Sequence, residues 1–235
     1  MRRWLTGCLV LAVCGAGCLS RAADKETERL ERASEIVTEV MRTPEKGIPQ
    51  DLLNKAVCVG IIPSELKAAF IFGGSYGRGA MVCRKGGNGP WSAPSMFMVG
   101  GANFGFQIGG EATDYVLVVM NGKGAQKLLQ SKVKLGADAS VAGGPVGRTA
   151  EGATDLQLHA EILTYSRSRG GFAGLSLGGQ LFKQDNDAND KLYGKHYPPI
   201  DILLKGVVNP PVAANALLAA LTQYSPHGGE SFNPK

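Results

Sequence analysis

Apolar residues recur along this chain with the period of a helix near both ends and as short runs in the middle. Over residues 24–42 they fall every three or four positions among charged residues, which predicts an amphipathic helix with Asp24 as its N-cap. A short helix is expected over 50–55, and the apolar segment that begins at Pro210-Pro211 predicts another helix. The apolar stripe of the first helix, which would pack on the core, is Leu30, Ala33, Ile36, Val37, Val40 and Met41.

The middle of the chain has the pattern of short strands separated by glycine and proline. The segments rich in β-branched or aromatic residues are 57–62, 68–72, 79–84, 96–99, 104–108, 115–120 and 172–177. Residues 156–162 alternate between apolar and polar, which predicts a further strand with one wet face. A helix over 123–131 interrupts the strands, but a regular βαβ alternation is absent. This order predicts an α+β domain, with a curved, mainly antiparallel sheet or partial barrel flanked by N-terminal and C-terminal helices.

The first 22 residues have the charge and hydropathy profile of an export signal. Arg2 and Arg3 precede an uncharged apolar run over 4–17, which is typical of a secretory signal peptide. The run is shorter than the roughly 20 apolar residues that span a membrane. We therefore expect an exported protein of the periplasm or envelope. The expected division of the chain is a signal over 1–22, a domain over 23–224 and a flexible tail over 225–235.

Two processing routes are open at the end of this signal. Small residues at Ser20 and Ala22 suit a signal peptidase that releases the protein before Ala23. Residues 15–18 instead resemble a bacterial lipobox, apart from a glycine at the first position, where an aliphatic residue is usual. In that case Cys18 becomes a lipidated N-terminus, and its acyl chains anchor the domain by about 0.8 kcal/mol per buried CH₂.

Charge and glycine content narrow the class of protein further. The formal net charge is +5, and three of the positive charges, on Arg2, Arg3 and Arg21, lie in the predicted signal. The remaining chain is near neutral and has no block of basic residues, so nucleic acid is not an expected partner. Glycine makes up 33 of the 235 residues, about twice the average share. Its occurrence in pairs between apolar segments favours short strands with tight turns.

Cys58 and Cys83 are the cysteines that follow the predicted signal. An oxidising compartment would allow them to pair as a disulfide. Each also lies in an apolar, strand-like run, where a cysteine commonly acts as a small buried hydrophobe. Both alternatives are open at this level, because pairing depends on a Cα separation that the sequence does not supply.

Several short motifs resemble catalytic or metal-binding signatures but lack the required context. Residues 174–178 match G-x-S-x-G around Ser176, yet strand-like sequence follows where a nucleophile elbow needs a helix. The S-x-x-K segments at 64–67 and 131–134 have no companion motifs of a serine acyl-enzyme. Residues 185–190 lack the glycine of an EF-hand loop, which leaves a polar turn or a different kind of cation loop. We expect no catalytic residues, no metal site and no cofactor.

The order and spacing of several glycine- and arginine-containing segments resemble the SYLF domain family. The resemblance covers about residues 25–206, nearly all of the chain after the predicted signal. The strongest segments are Gly143-Gly144-Pro145-Val146-Gly147-Arg148, Tyr165-Ser166-Arg167-Ser168-Arg169-Gly170-Gly171-Phe172-Ala173-Gly174 and 189–194, with support from 54–63, 67–74, 91–94, 109–110, 114–119 and 135–142.

This resemblance implies a binding domain without catalytic residues. Fungal and animal members of the family bind membranes that contain phosphoinositides, and some bind and bundle actin. We therefore expect an anionic phospholipid membrane as the partner, with a phosphoinositide-like headgroup as the ligand. Arginine forks and backbone N–H groups near glycine both suit phosphate. The candidate headgroup residues are Arg148, Arg167 and Arg169, with Lys67 and Lys183 as weaker matches.

Two alternatives to lipid binding are open. One is a structural protein of the envelope that engages a protein partner through an edge strand. The other is actin binding, which the family resemblance implies and which an exported bacterial-type protein would encounter inside a host. A stable protein partner without lipid affinity would indicate the first, and co-sedimentation with filaments would indicate the second.

Overall fold

A computed structural model describes residues 24–42, 47–70, 72–104, 109–147, 157, 159–168, 171–174, 177–226 and 228. Its helices are α1 (Lys25–Met41), α2 (Gln50–Lys55), α3 (Gly122–Leu128), α4 (Asn186–Tyr193), α5 (Pro199–Leu203) and α6 (Asn215–Tyr224), with 3₁₀ turns at Lys85–Gly87 and Val212–Ala214. α1 and α2 lie where the hydrophobic pattern predicts them. Asp24 is the N-cap of α1, but its side chain makes no capping hydrogen bond. Within the described residues, no helix is long and apolar enough to cross a membrane.

The described strands form one curled, mixed sheet that makes a half-barrel. They are β1 (Cys58–Phe70), β2 (Phe72–Cys83), β3 (Ser95–Phe104), β4 (Gly109–Val119), β5 (Lys132–Lys134), β6 (Val141–Gly143), β7 (Ile162–Ser168), β8 (Gly171–Gly174) and β9 (Leu181–Gln184). Their order is β5-β9-β3-β2-β1-β4-β7-β6, and β8 also pairs with β7. The β6–β7 pair is parallel and the other described pairs are antiparallel. The predicted α+β class, with a curved, mainly antiparallel sheet, is confirmed.

β1 and β2 form one long hairpin where the sequence predicted three short strands. Phe70 pairs with Phe72, so the strand predicted over 68–72 is wrong, because this segment contains the end of β1 and the beginning of β2. β1 also continues through Pro63 and Ser64, which the pattern treated as a break. A bulge absorbs both residues, and Ser64 adopts a φ of 55° there.

The strand predicted over 156–162 is also wrong. Gln157 and His159 are helical, and β7 begins only at Ile162. The Gln157 side chain donates a hydrogen bond to the carbonyl of Gly143 at 2.7 Å. This contact comes from a distant part of the chain, so the local alternation of apolar and polar residues could not reveal it.

Two apolar clusters pack on opposite faces of the sheet, which we call the α1 face and the α3 face. On the α1 face, side chains such as Ala80 and Met96 pack with α1 and α6. On the α3 face, Phe97 and Phe182 stack with their ring centroids 4.7 Å apart in a cluster that includes α3 and α5. Burial of each large side chain contributes about 1.5–3 kcal/mol. These two clusters therefore fix which face each strand residue presents.

Arg84 anchors the C-terminal segment. Its guanidinium lies 4.1 Å from the ring centre of Trp91 and donates through Nη2 to Ser225 Oγ at 2.7 Å. Ser225 Oγ in turn donates to the carbonyl of Leu53 at 2.9 Å. Burial lowers the pKa of Arg84 from its ordinary value. Ser225, the first residue of the predicted flexible tail, is thus fully buried and belongs to the packed domain.

The structure decides between the alternatives left open for the two cysteines and for the segment 185–190. Cys58 and Cys83 lie opposite each other on β1 and β2 and form a disulfide within the apolar cluster of the α3 face. The segment 185–190 is the beginning of α4 rather than a polar turn. Asp185 caps this helix, because its side chain accepts a hydrogen bond from the N–H of Ala188 at 3.3 Å.

Candidate functional site

Three lysines are placed side by side at the edge of the sheet formed by β5 and β9. Lys132 lies opposite Lys183, and Lys134 lies opposite Leu181. Opposed residues in an antiparallel pair project from the same face of the sheet. The buried residues between them, Val133 on β5 and its partner Phe182 on β9, belong to the cluster of the α3 face. The lysines therefore project from the α1 face, at its β5 edge.

A row of exposed apolar residues continues from these lysines across the sheet. Leu181 pairs with Gly100 of β3, Gly100 pairs with Tyr76 of β2, and Tyr76 pairs with Leu66 of β1. The exposed fractions are 41% for Leu181, 46% for Tyr76 and 62% for Leu66. Contiguous exposed apolar residues mark interaction surfaces. The candidate site, which we call the lysine face, consists of Lys132, Lys134, Lys183, Leu66, Tyr76 and Leu181.

The charge on the lysine face is uncompensated by any carboxylate within ion-pair distance in the described part of the chain. Lys127, by contrast, lies 2.7 Å from the carboxylate of Glu161. Like charges directly opposite on neighbouring strands destabilise a sheet, so the Lys132–Lys183 pair reduces folding stability. Arrangements that oppose stability in this way are expected at functional sites. An anion bound between the two ammonium groups would offset their repulsion.

Arg78 holds the ring of Tyr76 in position beside the lysines. Its Nε donates to the Tyr76 hydroxyl at 2.5 Å, and its guanidinium carbon lies 5.9 Å from the centre of the Tyr76 ring. The same Nε lies 3.6 Å from Oδ2 of Asp185, the N-cap of α4. The hydrogen bond to Tyr76 is the main cause of a raised pKa for Arg78. The exposed ring is therefore oriented before any ligand arrives.

Arg167, one of the predicted headgroup residues, is paired with acidic residues on the β4–β7 side of the sheet. Its Nη1 contacts the Glu39 carboxylate and lies 3.6 Å from Asp114 Oδ2. The three residues line a polar cavity of about 160 Å³ that also includes Arg32 and Glu35. Among the described residues that line it, three carboxylates face two guanidinium groups, so Arg167 is held by acidic neighbours.

Of the other predicted site residues, the structure describes Lys183 and the backbone of Lys67. Lys183 lies on the lysine face. Lys67 lies on β1, which is separated from β9 by β3 and β2, and its side chain is outside the described residues. Arg148, Arg169 and Cys18 also lie outside the described residues.

Lys132 and Lys134 are site residues that sequence reasoning missed. The predicted headgroup residues were chosen mainly as arginines beside glycine, and the alternation of Lys132, Val133 and Lys134 was not considered. That alternation places two charges on one face of a strand. The described residues contain no group of three His, Cys, Asp or Glu residues that could hold a metal, and Ser176 lies outside them. The exposed ammonium groups of Lys132, Lys134 and Lys183 make the lysine face suited to binding anions.

Comparisons with a family model and with individual proteins identify the same family. Residues 100–224 match the family described as "Ysc84: Las17-binding protein actin regulator". The chain is 39% identical over 178 residues to SH3 domain-containing protein PJ696.02 of Schizosaccharomyces pombe, which covers 74% of this chain and 40% of that protein. It is 34% identical over 221 residues to LAS seventeen-binding protein 3 of Saccharomyces cerevisiae, covering 90% of this chain and 47% of that protein.

A human relative has similar coverage of this chain. SH3 domain-containing YSC84-like protein 1 of Homo sapiens is 32% identical over 220 residues, which are 92% of this chain and 63% of that protein. The chain therefore spans between about two-fifths and two-thirds of the length of these relatives.

Proposed function

Because the chain belongs to the Ysc84, or SYLF, family, we propose that it is a non-catalytic domain that binds an anionic phospholipid surface through the lysine face. The observation that carries this proposal is the set of three exposed lysines without an acidic partner in the described residues, placed beside exposed apolar side chains. The matched family is described as a Las17-binding protein actin regulator, and one relative is named as a LAS seventeen-binding protein. A binding role agrees with both descriptions.

The lysines of this face suit the headgroup level of a membrane, and its apolar side chains suit the boundary between headgroups and acyl chains. Lysines near an anionic surface each contribute about 1 kcal/mol through attraction to lipid headgroups. Leu66, Tyr76 and Leu181 can enter the boundary between headgroups and acyl chains, where apolar side chains and tyrosine rings are favoured. Lysine stems also cover apolar surface while their ammonium groups stay at the phosphate level. One row across the sheet thus supplies both charge and apolar contact.

Vesicle co-sedimentation tests this proposal. A triple variant with Lys132, Lys134 and Lys183 replaced by alanine should lose about 3 kcal/mol of binding, or roughly a hundredfold, on vesicles of phosphatidylcholine with phosphatidylserine or a phosphoinositide. The matched control replaces Lys55, Lys195 and Lys205, three exposed lysines away from the lysine face, and removes the same total charge; of these, Lys205 is paired with Asp201.

Four results have distinct meanings in this assay. A hundredfold loss in the first variant with a loss below about fivefold in the control supports the site. Equal losses show that only net charge matters, and binding to neutral vesicles with unchanged strength rejects an anionic ligand. A phosphoinositide preference that depends on Arg148 or Arg169, with the lysine variant unaffected, would move the site to the residues first predicted from sequence.

We also propose that the domain is exported. The support is the positively charged start and apolar run of the first 22 residues. Intact mass of the native protein distinguishes an acylated Cys18 from an unmodified start at Ala23. An uncleaved chain that begins at residue 1 would contradict export by this signal.

Actin filaments are the second candidate ligand. The support is the description of the matched family as an actin regulator. Filament co-sedimentation with the same lysine and control variants tests this candidate. Binding to filaments without binding to anionic vesicles would favour actin over lipid.

A further inference from the structure

Among the residues that the structure describes, the α3 face has three buried side-chain oxygens without a hydrogen-bond partner. They are Oε2 of Glu65, Oε1 of Gln180 and Oγ of Ser75. The exposed fractions of these residues are 0%, 5% and 6%. Buried polar atoms in native proteins nearly always have a partner, so each such exception needs an explanation.

The backbone brings these oxygens to one part of the sheet. Gln180 Nε2 donates to the other carboxylate oxygen of Glu65, Oε1, at 2.7 Å. Ser75 of β2 pairs with Gly101 of β3, and a Cβ built on Gly101 would lie 3.5 Å from Cγ of Gln180. A Cβ on Gly77 would lie 3.2 Å from Cγ of Glu65. The two glycines therefore leave the space that lets the Glu65 and Gln180 side chains pack against the strands.

A bound cation would satisfy all three of these oxygens at once. Glu65 receives one neutral N–H, and a buried carboxylate is stable only when it is paired, protonated or bound to a cation. In the described residues, no lysine or arginine is recorded in an ion pair with Glu65. All three oxygens can act as acceptors or as ligands. We propose that Glu65, Gln180 and Ser75 bind a monovalent cation, Na⁺ or K⁺.

The charge of the ligand set favours a monovalent ion. The three side chains together supply one negative charge and two neutral oxygens. Ca²⁺ binds six to eight oxygens with several carboxylates among them, and Mg²⁺ requires near-ideal octahedral geometry. A single carboxylate neutralises an alkali cation without leaving excess charge in a buried site.

Thermal unfolding of the purified full chain tests this site. Melting is compared in NaCl, KCl and N-methylglucamine chloride at equal ionic strength. If Na⁺ or K⁺ binds the folded state, a concentration of ten times the dissociation constant should raise Tm by about 3–6 °C relative to N-methylglucamine. The increase should keep growing with the logarithm of ion concentration above the dissociation constant, and it should vanish in Glu65→Gln. The control Glu28→Gln changes an exposed carboxylate on α1 and should keep the full shift.

The remaining outcomes each contradict the proposal. Equal Tm in all three salts means that water, a proton or a residue of this chain such as Lys67 satisfies Glu65. A shift produced by millimolar CaCl₂ or MgCl₂ but not by Na⁺ or K⁺ rejects the monovalent assignment. If Glu65→Gln does not fold, Ser75→Ala replaces it, and an undiminished ion effect in that variant also rejects the site.

Discussion

Replacement of Lys132 by glutamate should change stability and membrane binding in opposite directions. The change turns the like-charge pair of Lys132 and Lys183 into an ion pair across β5 and β9. Opposed residues have Cβ atoms about 4.5–5.5 Å apart. Two charges about 7 Å apart in water repel by roughly 0.6 kcal/mol and attract by the same amount after the change. We therefore expect a gain of about 1 kcal/mol at low ionic strength, or about 2–4 °C in Tm.

The same substitution should weaken binding to anionic vesicles. It alters the charge of the lysine face by two units, which corresponds to about 2 kcal/mol, or roughly thirtyfold in the partition coefficient. Lys55→Glu is the matched control, because Lys55 is an exposed lysine on α2. It should lower binding only a few-fold. The reasoning is refuted if Lys132→Glu lowers Tm, or if it weakens binding no more than Lys55→Glu does.

Four further changes test other parts of the account. Arg167→Ala should lower Tm because it removes the guanidinium that contacts Glu39 and Asp114, yet vesicle binding should stay within twofold. A large binding loss would support Arg167 as a headgroup residue. Gly174→Ala should reduce stability by at least about 2 kcal/mol, since its Cβ would lie 1.9 Å from a backbone oxygen, and an unchanged urea midpoint would contradict that packing. Burial alone would raise the pKa of Glu161, but hydrogen bonds from Lys127 and the Ser140 N–H and the nearby lysine charges lower it below 4.5. The stability advantage of the native chain over Glu161→Gln should therefore be full above pH 4.5 and disappear as the pH falls through the lowered pKa, whereas an advantage that grows in acid would contradict this sign. Replacement of Cys58 and Cys83 by alanine should lower the free energy of unfolding by about 2–4 kcal/mol, and a loss under 1 kcal/mol in denaturant titration would show that the disulfide contributes little.

The parts of the fold that depend on local sequence periods could be predicted. α1 has a continuous apolar stripe, and α2 follows a glycine and a proline that delimit it. The extent of β1 could not be predicted, because Pro63 and Ser64 normally end a strand. Their accommodation depends on the bulge against β2 and β4 and on the hydrogen bond from the Ser64 N–H to Asp114 at 2.8 Å.

The candidate site was harder to predict from sequence than the helices, and the reason is electrostatic. Whether a basic residue is available for a ligand depends on which acids lie beside it, and those acids are distant in sequence. Arg167 is paired with Glu39 of α1 and Asp114 of β4, whereas Lys183 has no acidic partner among the described residues. The register that places Lys132 opposite Lys183 is also a property of the folded sheet.

The glycine-containing segments that carry the family resemblance have a structural explanation. A Cβ on Gly144 would lie 2.1 Å from Cζ of Tyr165, and a Cβ on Gly174 would lie 1.9 Å from the Gly144 carbonyl oxygen. Close packing of this kind admits no side chain. Close packing where β6, β7 and β8 meet therefore accounts for Gly144 and Gly174.

The depth of Tyr76 in a membrane tests the central claim most directly. In Tyr76→Trp the new indole lies at the exposed centre of the lysine face, while Trp91 is buried in the core. With anionic vesicles whose acyl chains carry bromine near the headgroup, we predict quenching of the new fluorescence at low salt and its recovery at high salt. Sedimentation with these vesicles without any quenching would contradict docking through the lysine face.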